Sequence, residues 1–110
     1  MAAETKTVDP RLAERERVIR TIRAHEPELR ARGVSRLWLF GSVARGDADA
    51  ESDIDVLISA PPPQEFSLLD LAGVQVELCD FLGRDTGIAI REDLEPGFWE
   101  PIRDDLVEVF

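Results

Sequence analysis

The sequence predicts one small domain that combines α-helices and β-strands, an α+β or α/β fold. Three short apolar runs, at 34–40, 53–59 and 86–90, are typical of strands. Longer stretches between them carry helical periodicity and capping residues. The 110 residues suffice for one domain with one core. We therefore interpret residues 1–110 as a single domain and expect residues 1–8 to be frayed.

The first third of the chain predicts two helices. Asp9 and Pro10 have the residue types of an N-cap and a first helical position. This helix is expected to reach about His25. A short second helix is expected over residues 26–32, and Gly33 predicts its end.

The central part predicts two strands around a tight turn. The first strand covers residues 34–40, and Gly41 then turns the chain sharply. One helical turn is expected over residues 43–45, followed by a polar loop over 46–51. The second strand covers residues 53–59. A rigid proline break follows it at 61–63.

The last part predicts a long helix, a third strand and two short elements. Residues 67–70 resemble a capping box, and the helix is expected to end at Gly83. Apolar alternation over 74–78 also fits a strand, but length and the cap favour a helix. The third strand covers 86–90. A turn-rich connection then leads to a helical piece and a terminal strand, expected at 92–97, 98–105 and 106–110.

The composition excludes several classes of protein. A formal net charge of −10 argues against direct DNA binding and non-specific RNA binding, which need clustered Lys and Arg. There is no apolar run long enough to span a membrane, and the N-terminus lacks the apolar stretch of a signal peptide. Cys79, the single cysteine, excludes an intrachain disulfide. We therefore expect a cytoplasmic protein.

Two carboxylates one residue apart define the candidate site. Asp53 and Asp55 share one face of the second predicted strand, whereas Ile54 points into the core. Two such carboxylates repel each other unless a cation lies between them. Hard oxygen ligands close to the Gly41-Ser42 turn suggest Mg²⁺ carrying a nucleoside triphosphate. The pattern predicts a metal–nucleotide site.

The glycine turn has residue types suited to a phosphate. Gly41 lets the backbone approach the phosphate without a Cβ atom in the way. Ser42 offers a hydroxyl and a backbone N–H at the start of a helical turn. Arg45 could reach phosphate or pyrophosphate, and a surface salt bridge is an equally good interpretation of this residue.

Gly41-Ser42, followed after ten residues by Asp53 and Asp55, resembles the signature of nucleotidyltransferases of the DNA polymerase beta superfamily. The Arg45-Gly46 pair and the short chain are similar to its smallest branch, the minimal nucleotidyltransferases. The resemblance covers nearly the whole chain. It also rests on Gly33 and on two further segments, residues 67–71 and 82–84.

The resemblance implies a mixed sheet with flanking helices, with ATP and Mg²⁺ as ligands. Members of this branch are commonly the antitoxin half of a two-gene pair. Their partner toxin is an all-helical HEPN ribonuclease, and the transferase can silence it by attaching AMP to a tyrosine. For this chain the resemblance therefore implies adenylyl transfer to a protein.

The chain departs from the family pattern at one position. The family adds a third carboxylate from a later strand, which helps to hold the metal and can act as a base. Aligned on residues 82–84, that position is Gly87, which has no side chain. In one interpretation a bulge or register shift lets Asp85 take its place. In the other the carboxylate is lost and the protein acts by binding a partner.

Three functions follow from these interpretations. The first is an enzyme that transfers AMP to a toxin. The second is a degenerate transferase that covers a toxin without chemistry. The third, a small-molecule nucleotidyltransferase, is disfavoured because 110 residues leave little room for an acceptor domain unless a partner or dimer supplies it. The sequence leaves the acceptor and the oligomeric state open.

Overall fold

Among the residues that the structure describes, four strands form one mixed sheet. In this computed structural model, which describes residues 10–47, 52–62 and 65–110, the strands are β1 (Arg36–Phe40), β2 (Ile54–Ser59), β3 (Thr86–Ile90) and β4 (Val107–Glu108). Their order across the sheet is β3-β2-β1-β4. β1 is antiparallel to β2 and β4, whereas β3 runs parallel to β2. The mixed sheet that the family resemblance implies is therefore confirmed.

In the described part of the chain, five helices flank the sheet. They are α1 (Pro10–Ala24), α2 (Glu26–Ala31), α3 (Gly41–Arg45), α4 (Leu68–Leu82) and α5 (Pro96–Arg103), with a 3₁₀ turn at Arg91–Asp93. The elements follow the predicted order. The predictions for residues 1–8, Asp9, loop residues 48–51 and Pro63 lie outside the described residues. No helix in the described ranges is both long and apolar enough to cross a membrane.

Several predicted boundaries are wrong by one or two residues. β1 begins at Arg36 rather than at residue 34, and α3 begins at Gly41 rather than at residue 43. α5 begins at Pro96 instead of residue 98, since proline suits the first turn of a helix. β2 begins at Ile54, so Asp53 lies just before the strand.

α4 is a helix throughout, and the strand alternative over residues 74–78 is wrong. Its start is a complete capping box: the Ser67 hydroxyl accepts from the Asp70 N–H, and the Asp70 carboxylate accepts from the Ser67 N–H at 2.9 Å. Gly83 ends the helix in the left-handed conformation, with φ of 68°. Both signals are local in sequence, which is why they predict this helix well.

The core lies between one face of the sheet and helices α1 and α4. Strand residues pointing to this face alternate along β1 and β2, as the pleat requires. They form one cluster with buried residues of the two helices. Fully buried members include Val18, Ile22, Leu37, Leu39, Ile54, Val56, Ile58, Val74 and Leu78. The intervening strand residues therefore face the opposite side of the sheet, where the candidate site lies.

Candidate active site

A row of three residues crosses one end of the sheet. The register pairs Phe40 of β1 with Asp55 of β2, and Asp55 with Gly87 of β3. Asp55 is half-buried, whereas its neighbours Ile54 and Val56 are fully buried in the core. The predicted orientation of Asp55 away from the core is therefore confirmed. Asp53, immediately before β2, is exposed at the same end.

The turn after β1 lies directly against the Asp55 carboxylate. Gly41 has φ of 76°, a conformation that favours glycine. A Cβ atom at Gly41 would overlap the Asp55 Oδ2 atom and lie 3.2 Å from the Asp55 Cγ atom, so the Asp55 side chain would have to shift. Besides any approach to phosphate, glycine is therefore required here by the packing of the turn on Asp55.

Replacing Gly41 with alanine is expected to lower the free energy of unfolding by about 2–4 kcal/mol, combining backbone strain with the clash against Asp55. The matched control is Gly83→Ala, because Gly83 also has positive φ but has nothing within 4 Å of its Cβ position. The control should lose about 1–2 kcal/mol from strain alone. Urea denaturation measures both. If Gly41→Ala and Gly83→Ala lose the same free energy of unfolding, contact with Asp55 adds nothing to the requirement for glycine at position 41.

The environment of Asp55 shifts the pKa of its carboxyl upward. Burial raises the pKa of the Asp55 carboxyl above its ordinary value, the nearby charge of Asp53 raises this pKa further, and Arg45 lowers it in part. A divalent cation held by the two carboxylates would remove this repulsion. Their oxygen atoms are the ligands that Mg²⁺ prefers, with water and phosphate oxygens completing its shell. The residues present therefore fit a Mg²⁺–nucleotide complex.

Arg45 is engaged in ion pairs. It lies at the end of α3, is exposed, and donates to Asp105 at 2.8 Å and to Asp47 at 3.2 Å. These two hydrogen bonds raise the pKa of its guanidinium, that from Asp105 the more. The salt-bridge interpretation of Arg45 therefore describes its contacts here. Ser42 is the second residue of α3, and its backbone carbonyl accepts from the N–H of Gly46 and of Asp47.

The position of the third carboxylate lies beside Asp55 and carries only a glycine. A Cβ atom at Gly87 would be 3.4 Å from the Asp55 Oδ1 atom, an ordinary contact distance. β2 and β3 pair through five consecutive residues each, so no bulge interrupts this described ladder. The bulge that would bring Asp85 forward is therefore not observed. Asp85 is exposed one residue before β3, where its carbonyl accepts from the Ile54 N–H at 3.0 Å.

The structure brings Asp53 and Asp55 together but does not add Asp85 to them as a third ligand. Across residues 10–47, 52–62 and 65–110, no three His, Cys, Asp or Glu side chains are grouped closely enough to hold a metal ion. The two aspartates at the start of β2 are thus the candidate metal site. They supply two carboxylates, and the neighbouring position on β3 is Gly87.

Arg84 supports the segment that carries the two aspartates, and sequence reasoning missed this role. Its Nε donates to the Ser52 carbonyl at 3.1 Å, and its guanidinium pairs with Glu14 of α1. The two side chains are only 12% and 17% exposed. Burial lowers the pKa of the Arg84 guanidinium. Gly83 did predict the end of α4, but the partners of Arg84 are far away in sequence.

Replacing Arg84 with methionine is expected to lower the free energy of unfolding by about 1–3 kcal/mol, because the Ser52 carbonyl and the Glu14 carboxylate would both lose a charged partner in a partly buried place, although Glu14 keeps its pair with Arg17. Arg36→Met is the control, since Arg36 pairs with Glu108 on the surface, where both side chains are about half exposed. The control should cost less than about 1 kcal/mol. Thermal or urea unfolding of the two variants and the wild type measures both losses. Losses of the same size would contradict a supporting role for Arg84.

Comparison with known proteins identifies the family to which the chain is similar. The model of the nucleotidyltransferase domain family matches residues 22–109. A Methanocaldococcus jannaschii protein named as a protein adenylyltransferase is 34% identical over 83 residues, 76% of this chain and 87% of that protein. The protein adenylyltransferase MntA of Thermococcus cleftensis is 32% identical over 87 residues, 78% of this chain and 86% of that protein.

Solved structures show the same fold. A protein described as a minimal nucleotidyltransferase superposes with a TM-score of 0.63 at 30% identity, covering 81% of this chain and 93% of that one. A toxin–antitoxin crystal structure with AMP-PNP contains a chain that superposes with a TM-score of 0.66 at 16% identity. The match covers 80% of this chain and 72% of that one. The matched family model, the two relatives and the sheet with its paired aspartates lead to one conclusion: the chain belongs to the nucleotidyltransferase domain family.

Proposed function

We propose that this chain binds ATP with Mg²⁺ and transfers AMP to a protein acceptor. The observation that carries the proposal is the pair of neighbouring carboxylates, Asp53 and Asp55, at the start of β2, with Asp55 packed against the Gly41 turn. In this proposal both aspartates are the metal ligands and the catalytic carboxylates. Gly41 and Ser42 face the phosphates, and Arg45 leaves its surface ion pairs to contact them.

The chemistry is a displacement at the α-phosphorus of ATP. The acceptor hydroxyl oxygen forms a bond to that phosphorus, the bond to the β-phosphate oxygen breaks, and pyrophosphate leaves. Bound Mg²⁺ would supply charge neutralisation of the triphosphate. The ionised Asp53 and Asp55 orient the reacting group, and the turn at Gly41 excludes side chains from it. Without a carboxylate at Gly87, the proton of the acceptor passes to water.

We further propose that the chain is the cytoplasmic antitoxin of a toxin–antitoxin pair, with a HEPN-type ribonuclease as its acceptor. Two findings support this. Two curated relatives are named as protein adenylyltransferases, and a chain of the same fold occurs in a toxin–antitoxin structure with AMP-PNP. In this role transfer of AMP to the toxin would silence it.

A second candidate function is neutralisation by binding alone. Gly87 favours it, because the position beside Asp55 has no side chain to act as ligand or base. Asp85 remains the proposed substitute, although the unbroken register leaves it two residues away. If Asp85 does not contribute, the fold is retained as a toxin-binding module with weak transfer.

The experiment that separates the two functions uses the purified chain, the purified product of the adjacent gene, and ATP labelled at the α-phosphate with Mg²⁺. Label that appears on the second protein, and does not appear when the reaction contains EDTA, supports the enzyme. A stable complex without label supports the module. If neither label nor a stable complex is found, both functions are rejected.

A further inference from the structure

Helix α4 carries apolar residues on two opposite sides. The inner ridge faces the core at intervals of four residues and consists of Val74, Leu78 and Leu82. The outer ridge repeats that spacing and consists of Leu68, Ala72 and Val76. Leu69 lies next to the outer ridge. We call these four residues, Leu68, Leu69, Ala72 and Val76, the outer face of α4.

The outer face is exposed to an extent that the fold itself does not explain. Leu68 is 82% exposed, Leu69 83% and Val76 60%. They are not needed to start the helix, because the Ser67 capping box does that and Phe66, just before it, packs on the core. A helix on the surface of a globular protein ordinarily carries one apolar stripe, which faces the core, so a second apolar stripe facing solvent requires another explanation. Contiguous exposed apolar patches mark interaction sites.

We propose that the outer face of α4 docks into an apolar groove of a basic protein partner. The exposed acids Glu65 and Asp80 flank it at the two ends of the helix, and the whole chain has a net charge of −10. A groove with Lys or Arg at its rim would therefore be attracted to this face and would cover the apolar side chains. The inference goes beyond the proposed function, since docking at α4 requires no nucleotide transfer.

Charge argues against the other occupants of this face. In a two-fold dimer with antiparallel α4 helices meeting at Ala72, Asp80 of one copy would lie near Glu65 of the second copy. Each copy would also bring its net charge of −10. An anionic membrane surface would repel the same acids. A basic protein with an apolar groove would both bury the apolar side chains of the outer face and attract the acids at its two ends.

The test places the photo-crosslinking residue p-benzoylphenylalanine at Leu69, Val76 or Phe98 in cells that natively make the chain. Phe98 is the control, because it is 67% exposed but lies on α5. Positions 69 and 76 should cross-link one and the same basic protein, and position 98 should not. That protein, once purified, should bind the Leu69→Ser variant at least about tenfold more weakly, and the Phe98→Ser variant with less than about a twofold change.

Four outcomes would overturn the proposal: a cross-link to a second copy, a cross-link to an acidic protein, equal cross-linking from position 98, or no cross-link from 69 and 76. Leu69→Ser should fold normally, because the side chain is already 83% exposed. An unchanged thermal midpoint by circular dichroism establishes that a loss of binding is local to α4.

Discussion

Replacing Asp55 with asparagine is expected to reduce transfer of AMP by about 100-fold or more while making the metal-free protein more stable. The loss follows because an amide cannot supply the negative charge that holds Mg²⁺ at the end of β2. The gain follows because the wild-type carboxylate is half-buried beside Asp53 without a cation. Activity and stability should therefore move in opposite directions.

The effect on stability should depend on pH. Because burial and Asp53 raise the pKa of Asp55 in the fold, the folded protein binds a proton more readily than the unfolded chain. This raised pKa therefore lowers the free energy of unfolding at neutral pH, and the penalty is relieved as the pH falls through the folded pKa towards the ordinary value of 3.8. The advantage of Asp55→Asn should be largest near neutrality and should vanish in acid.

Urea denaturation in EDTA from pH 4 to pH 8 measures this difference. Asp93→Asn is the control, since Asp93 is exposed in the 3₁₀ turn and the substitution is chemically the same. Adding Mg²⁺ and AMP-PNP should then stabilise the wild type and the control, but not Asp55→Asn. An Asp55→Asn protein that is less stable than wild type at pH 7, or that still transfers AMP, would contradict the assignment.

Local signals predicted most of the elements that position this site. The capping box at Ser67 and the stop at Gly83 lie within a few residues of the ends of α4, so the sequence alone defines that helix. The buried Ile54 and Val56 beside half-buried Asp55 follow from the period of two in a strand. Such features depend on the nearest neighbours in the chain, which is why they are readable without a structure.

Features that depend on distant partners were not predictable in the same way. The contact of Arg84 with the Ser52 carbonyl joins residues 32 positions apart. The two apolar ridges of α4 have equal spacing, so periodicity alone does not show that the ridge with Leu68 and Ala72 lies outside the core. Only the fold decides which ridge faces inward. Likewise, only the strand register shows that Gly87 lies opposite Asp55.

Replacing Gly87 with aspartate is expected to raise ATP- and Mg²⁺-dependent transfer by about tenfold or more, which is less than the full contribution of a well-positioned general base. The substitution fits sterically, because its Cβ atom would be in ordinary contact with Asp55 at 3.4 Å. The new carboxylate would share the sheet face and the register position of Asp55. It would therefore extend the pair of aspartates to three ligands.

The gain should be specific to charge and to metal. Gly87→Asn has the same size and the same backbone demands but no negative charge, so it should leave transfer near the wild-type rate. Without Mg²⁺, Gly87→Asp should be less stable than Gly87→Asn, since three carboxylates then repel one another. Transfer assays with labelled ATP and unfolding in EDTA give both results. A Gly87→Asp protein that is no faster than Gly87→Asn would reject this position as the place of the missing carboxylate.

Asp85→Ala, made in the wild type and in Gly87→Asp, then shows whether Asp85 already supplies that carboxylate. If it does, its loss should slow the wild type strongly but matter little once Gly87 is aspartate, because one carboxylate replaces the other. The unbroken ladder between β2 and β3 favours the opposite outcome, with little effect of Asp85→Ala in either protein. A fast wild type that is indifferent to Asp85→Ala would show that transfer proceeds with Asp53 and Asp55 alone, and that β3 contributes only its backbone to the site.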